Sequence, residues 1–367
     1  MKPININLIS TFLEKSNFGY LAREIANTLI QSKDPIFSLN LTSIESPKHI
    51  NYSFDSEDIR LLVPFIGTKI IYPAIDIIVL PHHLLERVNF QDLYLKSNYS
   101  IIITEWNSEL IPLNQINLLR NTSCILTTSG FSKNIYQKYG IKSGILKIGI
   151  DKKDIEISKN KLQNFLCIYN LDKDEKNNVA LEAFREEFFP SEDVKLTILF
   201  PEASSVKLIE DKIRNNFKIT DENVEILTDS FLSRNELLKF ISNYDCMIYL
   251  PDLEEYNFLP LEILSLGIPL ITPNFESIKN IFPLSFSNFV EYSKMEEQDK
   301  INPENINYKL IISKDDIKSK MRDVFSNYEK QIENSKVLKK EVEEKLDKNV
   351  FRDDFNLFLK NIWGYYG

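Results

Sequence analysis

Short apolar runs alternate with segments of helical periodicity along most of the chain. In the first 150 residues the apolar runs predict strands, which are Ile4–Ile9, Ile36–Leu41, Asp76–Leu80, Tyr99–Thr104, Ser123–Thr128 and Ile145–Ile148. The spacing of apolar residues between them predicts helices, which are Tyr20–Ile30, Pro112–Leu119 and Ser132–Tyr139. Strands rich in β-branched residues that alternate with helices indicate a parallel sheet covered on both faces.

The alternation stops at residues 151–163, which are charged and poor in apolar residues, so we interpret them as a connector between two domains. Beyond the connector, strands are predicted at Phe165–Tyr169, Lys195–Phe200, Val224–Leu227, Asp245–Leu250 and Pro269–Thr272. The helices predicted there are Asn177–Phe188, Ser204–Phe217, Arg234–Ser242 and Pro260–Leu266, followed by a charge-rich helical tail from about Lys314.

The fold class that follows is α/β, with two doubly wound, Rossmann-like domains that face a central cleft. Residues 1–150 form the first predicted domain and residues 164–345 the second. Residues 346–367 are expected to form a helix that packs back on the first domain. The apolar stripe of this helix is Phe351, Phe355, Phe358, Leu359 and Ile362. In folds of this class, ligands bind at the carboxyl ends of the strands.

Composition and charge narrow the range of functions. The 367 residues carry a net charge of −9, which disfavours bulk binding of nucleic acid. They include only nine glycines, where average usage would supply about 26, and they contain no glycine-rich phosphate loop. No apolar run approaches the ~18–20 residues that span a bilayer. Cys124, Cys167 and Cys246 lie in apolar runs and are expected to be buried thiols of a cytoplasmic protein.

The residues that can carry chemistry concentrate after the predicted strand Asp245–Leu250. Pro260 suits the first turn of the next helix, Glu262 complements its positive end and Gly267 suits its C-terminal cap. A helix that starts at the mouth of a parallel sheet is an anion site suited to a diphosphate. The carboxylates of Glu254 and Glu262 can accept hydrogen bonds from sugar hydroxyls. The alternative is that these acids only complement the helix dipole.

Residues 254–262 resemble the signature of the retaining glycosyltransferases of family 4, in which seven residues separate two glutamates. Glu254 and Glu262 match the two glutamates, and the turn Leu266-Gly267-Ile268-Pro269 follows as in the family. The resemblance implies the GT-B fold, with Glu262 on the ribose of a nucleotide and Glu254 on the transferred sugar. Two glycines of the signature are replaced by Glu255 and Asn257. The implied donor-binding segment includes Asn257, Phe258 and Leu259.

A second match lies at Phe165–Phe184, where the family carries a strand, a basic loop and a helix. Lys176 occupies the position of the family's phosphate-binding lysine, which would neutralise a departing diphosphate. Glu175 stands where the family usually has an arginine, so Lys173 is the candidate for the second positive charge. The alternative is a solvated charged loop. The triplet Asp172-Lys173-Asp174 resembles a metal-binding pair of carboxylates, but loop surface is the preferred interpretation.

Segments of the first domain resemble a subgroup of the same family in their order and spacing. These segments are Thr104-Glu105-Trp106, Thr127-Thr128-Ser129-Gly130-Phe131-Ser132 and Ile148-Gly149-Ile150-Asp151. For Glu105, a position facing the cleft, a helix-capping role and a salt bridge all remain open.

The resemblance also points to two positions at the carboxyl ends of the first strands. Gly19 is placed in the loop after the first strand, where the family brings its backbone close to the donor phosphate. His82 and His83 follow the strand Asp76–Leu80, and the family often has a histidine there close to the sugar. Two adjacent histidines point in different directions, so one of them at most serves the site. A packing or surface role is the alternative.

The resemblance to family 4 implies a glycosyltransferase of the GT-B fold that moves a hexose or related sugar with retention of configuration. The expected partners are a UDP- or GDP-linked sugar and an acceptor hydroxyl on a glycan, a lipid-linked molecule or a protein. No cofactor and no bound metal are expected, and the catalytic candidates are Glu254, Lys176 and His82. The expected location is the cytoplasm, with peripheral contact at the inner membrane face for a lipid-linked acceptor. The alternatives are a non-catalytic GT-B partner or glycan-binding protein, and a nucleotide-sugar epimerase.

Overall fold

Most of the predicted strands and helices form in the computed structural model of the chain. The structure describes residues 3–14, 16–33, 36–44, 57–69, 71–88, 99–106, 110–150, 152, 163–168, 178–200, 222–228, 233–251, 257–274, 282–298 and 306–366. The predicted helix at residues 204–217, Lys173, Lys176 and Glu254 lie outside the described residues. The same is true of the predicted connector at residues 151–163, apart from Lys152 and Gln163.

The chain divides into two units of packed residues, each of which is described by itself. The first unit comprises Met1–Gly149, Glu297–Asn307 and Leu346–Gly367. The second unit comprises Ile150–Glu296 and Tyr308–Lys345.

Parallel strands form the six-stranded sheet of the first unit. They are β1 (Ile4–Ser10), β2 (Phe37–Ser43), β3 (Ile75–Val79), β4 (Tyr99–Ile103), β5 (Cys124–Thr127) and β6 (Ser143–Ile145). Their order is β2-β1-β3-β4-β5-β6, so the sheet is doubly wound with its topological switch point between β1 and β3. All five residues of β3 are buried, as expected for a central strand covered on both faces.

Four helices lie in the described residues of this part of the chain, and serine side chains cap two of them. They are α1 (Asn17–Ile30), the single turn α2 (Glu57–Arg60), α3 (Leu113–Arg120) and α4 (Gly130–Lys138), with 3₁₀ turns at Val63–Phe65 and His82–Arg87. The hydroxyl of Ser16 accepts a hydrogen bond from the Gly19 amide at 3.1 Å. The hydroxyl of Ser129 accepts one from the Ser132 amide, also at 3.1 Å. Both contacts satisfy first-turn amides that have no partner within the helix.

Parallel strands also form the six-stranded sheet of the second unit. They are β7 (Asn164–Ile168), β8 (Lys195–Phe200), β9 (Val224–Thr228), β10 (Cys246–Ile248), β11 (Leu270–Pro273) and β12 (Phe289–Val290). Their order is β12-β11-β10-β7-β8-β9, which is the Rossmann order counted from β7. A separate two-stranded sheet pairs β13 (Tyr292–Gln298) with β14 (Ile306–Ile312).

Helices of the second part of the chain include one that is buried over its whole length. They are α5 (Val179–Glu187), α6 (Arg234–Ile241), α7 (Leu259–Leu266), α8 (Lys314–Ser326) and α9 (Tyr328–Lys345). All eight residues of α7 are buried, and six of them are apolar. Helix α8 is joined to the end of α5 by Arg322, whose guanidinium donates to Glu187 at 2.7 Å and to Glu192 at 2.6 Å.

The last helix, α10 (Lys348–Tyr366), belongs to the first unit. Lys348 forms an ion pair with Glu24 of α1 at 2.7 Å. The side-chain amide of Asn356 donates a hydrogen bond to the hydroxyl of Ser32 at 3.0 Å. The aromatic rings of Phe351 and Phe355 stack along the buried side of the helix, with 5.6 Å between their centroids.

A chain of polar side chains crosses the buried interior of the first sheet. Asn7 donates a hydrogen bond to Asp76 at 2.9 Å and accepts one from Asn40 at 2.7 Å. These three residues are register partners on β1, β3 and β2. Because parallel register places them side by side, Asn7 forms hydrogen bonds with side chains of both neighbouring strands.

Three features differ from the predictions. Strand β6 begins at Ser143 rather than at Ile145, because Ser143 pairs in register with Ile125 of β5. Helix α1 begins at Asn17, so Gly19 lies in its first turn and not in the preceding loop. The strands β13 and β14 are not predicted, because β13 reads YSKMEEQ and lacks an alternating apolar face.

All three cysteines are free thiols, and two of them are buried. Cys167 and Cys246 are buried as predicted, whereas Cys124 is only half-buried. Burial raises the pKa of the Cys246 thiol well above its usual value, and the charge of Asp245 adds to this shift. Cys246 is therefore a packing residue. Within the described part of the chain, no helix combines the length and the apolar character that crossing a bilayer requires.

Candidate functional site

The second sheet has its topological switch point between β7 and β10, which are hydrogen-bonded neighbours. The chain leaves β7 toward β8 on one side and reaches β10 on the other side. Ligands of doubly wound sheets bind at the carboxyl ends of the strands at such a point. Helix α7 follows β10 there, and it carries the segment that the sequence predicts to bind a donor.

Helix α7 has the local structure that its sequence predicts. Pro260 lies in the first turn, where its missing N–H costs no hydrogen bond. Gly267 closes the helix in the left-handed conformation, with φ of 81°. Glu262 also lies in the first turn, and its carboxylate is favoured there by the positive end of the helix dipole. The structure therefore brings a buried carboxylate to the start of the helix that follows the central strand.

Glu262 forms an ion pair with Arg234, a residue that the sequence analysis does not assign to the site. Nε and Nη2 of Arg234 donate to Oε2 of Glu262 at 2.9 and 2.5 Å. The Glu262 side chain is 6% exposed and that of Arg234 is 17% exposed, so water screens the pair only weakly. Removing one partner of such a pair leaves the other charge without compensation.

A signal for Arg234 is present in the sequence. Ser233 and Glu236 form a capping box at the start of α6, which places Arg234 at the first helical position. A cation at this position is disfavoured by the positive end of the helix dipole, so a neighbouring acid stabilises it. The sequence does not say which acid this is, and only the packing of α6 beside α7 identifies Glu262.

The side chain of Asn257 forms hydrogen bonds with two neighbouring residues. Its side-chain nitrogen donates to the hydroxyl of Tyr249 at 2.5 Å, and its side-chain oxygen accepts from the Leu259 amide at 2.9 Å. At the start of α7, where the sequence predicts an anion site, the Leu259 amide is bonded to Asn257 and Pro260 has no N–H.

Phe258 and Leu259 also differ from the predicted picture of a donor-binding segment. Phe258 is 1% exposed and Leu259 is 4% exposed, so both side chains belong to the core. Apolar side chains of this size gain about 1.5–3 kcal/mol on burial, so these two stabilise the core. A donor could touch this pair only through backbone atoms.

In the first unit, Gly19 has a packing role. Its amide is bonded to Ser16, so this N–H is not directed at a donor phosphate. The main chain of residues 11–14 approaches so closely that a Cβ on Gly19 would lie 2.3 Å from the carbonyl oxygen of Glu14. Arg23, which is 2% exposed, holds the same segment by donating to the carbonyl oxygens of Phe12 and Glu14 at 2.7 and 2.8 Å.

Glu105 takes the capping role among the alternatives that the sequence leaves open. It follows β4, and its Oε1 accepts from the amide and the hydroxyl of Thr128, the latter at 2.6 Å. Its Oε2 accepts from the hydroxyls of Ser129 and Ser132 at 2.8 and 2.7 Å. The carboxylate thus lies at the positive end of α4, which stabilises it. Burial raises the pKa of the nearby Tyr136 phenol well above its usual value, and the charge of Glu105 raises it further.

The two adjacent histidines have different surroundings. His82 is half-buried at the start of the 3₁₀ turn after β3, and its ring lies 4.4 Å from the ring of Trp106 between centroids. His83 is exposed and meets His82 edge-on at 5.7 Å. His82 is therefore the more buried member of the pair, at the carboxyl end of a central strand.

The described parts of the candidate site thus fall into two groups, one in each unit. Around α7 the structure brings together Glu262, Arg234, Asn257 and Tyr249. Around the ends of β3 and β4 it brings together His82, Trp106 and Glu105. Within the described residues, no three acidic, histidine or cysteine side chains meet as metal ligands.

Comparison with known proteins gives a likeness in structure and none in sequence. No protein-family model matches the sequence, and no curated protein matches it. HepE from Anabaena in complex with UDP-glucose matches with a TM-score of 0.66 at 9% identity, over 98% of this chain and 100% of that chain. Sucrose-phosphate synthase from Thermosynechococcus elongatus matches with a TM-score of 0.67 at 9% identity, over 99% of this chain and 100% of that chain.

A third match is the apo form of the lipopolysaccharide outer core galactosyltransferase WaaB. Its TM-score is 0.61 at 14% identity, over 97% of this chain and 100% of that chain. These structures are GT-B glycosyltransferases. Because the likeness covers nearly the whole chain, it confirms the predicted fold, which is GT-B with two Rossmann-like domains.

Proposed function

We propose that this chain is a glycosyltransferase that moves a sugar from a nucleotide-sugar donor to an acceptor hydroxyl. The observation that carries the proposal is the buried Glu262–Arg234 pair at the start of α7, beside the switch point of a Rossmann sheet. The fold supports it, because proteins with the same fold over the whole chain are glycosyltransferases and one of them binds UDP-glucose. The donor in this proposal is UDP- or GDP-linked.

In the proposed reaction, the carboxylate of Glu262 accepts hydrogen bonds from the ribose hydroxyls of the donor. Arg234 holds that carboxylate in place from the adjacent helix. Lys176, with Lys173, neutralises the diphosphate as it leaves, and Glu254 contacts the transferred sugar. His82 lies near the sugar on the acceptor side.

The finer parts of the proposal rest on the resemblance to family 4. They are transfer of a hexose or related sugar, retention of configuration, and independence from bound metal and cofactor. The second unit binds the donor and the first unit binds the acceptor, which is a glycan, a lipid-linked molecule or a protein. Donor binding belongs to the second unit in this proposal because the resemblance there includes both glutamates of the signature.

The test is a donor panel applied to the purified chain and to two variants. Calorimetry with UDP- and GDP-linked sugars measures binding, and product analysis with acceptors measures transfer. Glu262→Gln keeps the shape of the side chain and removes its charge. We expect a loss of affinity of about 10- to 100-fold, because a hydrogen bond to a charged group contributes about 1.5–3 kcal/mol.

Glu329→Gln is the matched control for that variant. Glu329 is likewise a first-turn carboxylate of a helix in the second unit, but it is exposed on α9. The Glu329→Gln variant should bind the donor with the affinity of the parent chain. Unchanged donor affinity in Glu262→Gln would refute the assignment of Glu262, while the absence of any donor binding would refute the proposed function.

The second candidate function is that of a non-catalytic GT-B partner or glycan-binding protein. Asn257 favours it, because its side chain occupies the Leu259 amide that a donor phosphate would otherwise approach. The two candidates differ in the donor panel. A glycan-binding protein would bind oligosaccharides and leave every nucleotide sugar unbound.

A further inference from the structure

Trp106 is buried and hydrogen-bonded at the carboxyl edge of the first sheet. It is 4% exposed, although it lies in the segment that leaves the end of β4. The indole N–H donates to the carbonyl oxygen of Leu110 at 3.0 Å. The backbone amide of Trp106 donates to the hydroxyl of Ser132 at 3.0 Å. Both the ring and the main chain of Trp106 are therefore fixed.

Ser132, which accepts the hydrogen bond from the Trp106 amide, also donates one to the carboxylate of Glu105. Glu105 Oε2 lies 2.7 Å from the hydroxyl of Ser132 and 2.8 Å from that of Ser129. Ser132 is 2% exposed and Ser129 is 1% exposed, so water does not compete for these hydrogen bonds. The carboxylate, the two hydroxyls and the Trp106 backbone thus form one rigid support at the start of α4.

The supported indole lies against His82. The two rings are 4.4 Å apart between centroids and inclined at 53°. Such a contact restricts rotation of the imidazole about its bond to Cβ, and aromatic pairs of this kind contribute about 0.5–1.5 kcal/mol beyond burial. The hydrogen bonds of an imidazole lie in the plane of its ring. Fixing the ring plane therefore fixes the direction in which its nitrogen atoms meet a ligand.

We propose that Trp106 is a positioning residue for His82, and that it sets the orientation in which the imidazole meets the hydroxyls of the sugar substrate. This inference rests on the proposed function, since it assigns His82 to the sugar side of the transfer site. Glu105 and Ser132 act at one further remove, by holding Trp106. If Trp106 had a packing role alone, it would contribute to stability and would not affect how His82 contacts the sugar.

The contact between the rings can be tested in solution without any activity. The chain has two tryptophans, Trp106 and Trp363, so in Trp363→Phe the only tryptophan is Trp106. A protonated imidazole in contact with an indole quenches its fluorescence. Emission from this variant should therefore fall as the pH is lowered from about 8 to 5, where histidine titrates.

Adding His82→Gln to Trp363→Phe should abolish that fall, and adding His83→Gln should leave it in place. Because the chain has three histidines, these substitutions identify the group that is responsible. A titration that persists in the His82→Gln variant would overturn the contact.

The positioning role requires a double-mutant cycle on transfer. Trp106→Leu should lower kcat/KM for transfer by about 10- to 100-fold, the size expected when a group at a reacting centre is misplaced. In a His82→Gln background the same substitution should cause no further loss, because His82 is then no longer there to be positioned. Trp106→Phe, which keeps an aromatic ring, should restore part of the activity. Trp363→Phe is the control and should transfer at the parental rate.

Unfolding curves run beside the kinetics separate the positioning role from stability. If the losses of kcat/KM in the single variants multiply in the double variant, Trp106 acts independently of His82 and the inference is wrong. The same conclusion follows if Trp106→Leu transfers at the parental rate. Absence of transfer by the parent chain would refute the proposed function and this role with it. The fluorescence titration would still report on the ring contact.

Discussion

Replacing Gly19 by alanine should destabilise the first unit, although alanine is the better helix former. Gly19 lies in the first turn of α1. An added Cβ would lie 2.3 Å from the carbonyl oxygen of Glu14 and 2.8 Å from that of Thr11. Both neighbours are backbone atoms, so no side-chain rotation relieves the contact and residues 11–14 must move.

The magnitude follows from what holds those residues. Arg23 donates to the carbonyl oxygens of Phe12 and Glu14 at 2.7 and 2.8 Å, and each hydrogen bond from a charged donor contributes about 1.5–3 kcal/mol. Movement of the segment weakens both, while the helix propensity of alanine returns about 1 kcal/mol. We expect a net loss of about 2–3 kcal/mol in the free energy of unfolding, within the range for overpacked sites. This corresponds to a fall of roughly 5–10 °C in Tm.

Gly364→Ala is the matched control, because Gly364 also lies in a helix, α10. No described atom lies within 4 Å of the Cβ that alanine would add there. This variant should be as stable as the parent or more stable by up to about 1 kcal/mol. Thermal and denaturant unfolding of the full chain measures both variants. The reasoning is refuted if Gly19→Ala and Gly364→Ala shift the Tm in the same direction.

The same variant also tests the donor role that the sequence predicts for Gly19. If Gly19 serves packing, Gly19→Ala should lose stability while the folded fraction binds the nucleotide sugar with parental affinity. A variant of parental stability that no longer binds the donor would support the predicted role instead.

The remaining predictions concern the second unit. Hydrogen bonds from Arg322 lower the pKa of the Glu192 carboxyl, so their stabilisation is complete above about pH 4.3 and is lost as the pH falls through the lower folded value. Glu192→Gln should therefore lower the Tm at pH 7, and its difference from the parent should shrink as the pH falls below about 4.3. Ser233→Ala removes half of a capping box and should cost about 1 kcal/mol in denaturant unfolding. Asn257→Gly releases the Leu259 amide and should tighten donor binding in calorimetry; unchanged affinity would contradict this.

The strands of the two sheets could be predicted because burial on both faces demands continuous apolar, β-branched runs. Ile75–Val79 and Lys195–Phe200 are examples, and each lies within one residue of its prediction. Helix ends could also be predicted where a residue favours one position, as Gly267 favours the left-handed C-terminal cap. The predicted strand boundaries were wrong where pairing with a neighbouring strand decides where the strand begins. Ser143 becomes a strand residue only because it pairs with Ile125.

Only part of the candidate site could be predicted, because contacts between residues far apart in the sequence depend on packing. The sequence pointed to Glu262 through its place in the first turn of a helix after a strand. It did not identify Arg234 as the partner of Glu262, because 28 residues separate the two and only the packing of α6 beside α7 joins them. It also assigned Asn257 to the donor, but it did not show that the side chain of Asn257 forms hydrogen bonds with Tyr249 and Leu259.

The sequence by itself therefore determined the class of the fold, the order of its elements and the kind of residue at each helix end. These depend on local periodicity, on backbone preference and on the need to bury apolar surface, all of which act over a few neighbouring residues. The tertiary structure alone decided which polar groups meet. Asn7, Asn40 and Asp76 form one buried chain because strand register brings them together. Glu262 meets Arg234, and His82 meets Trp106, because adjacent elements end at the same edge of a sheet or pack side by side.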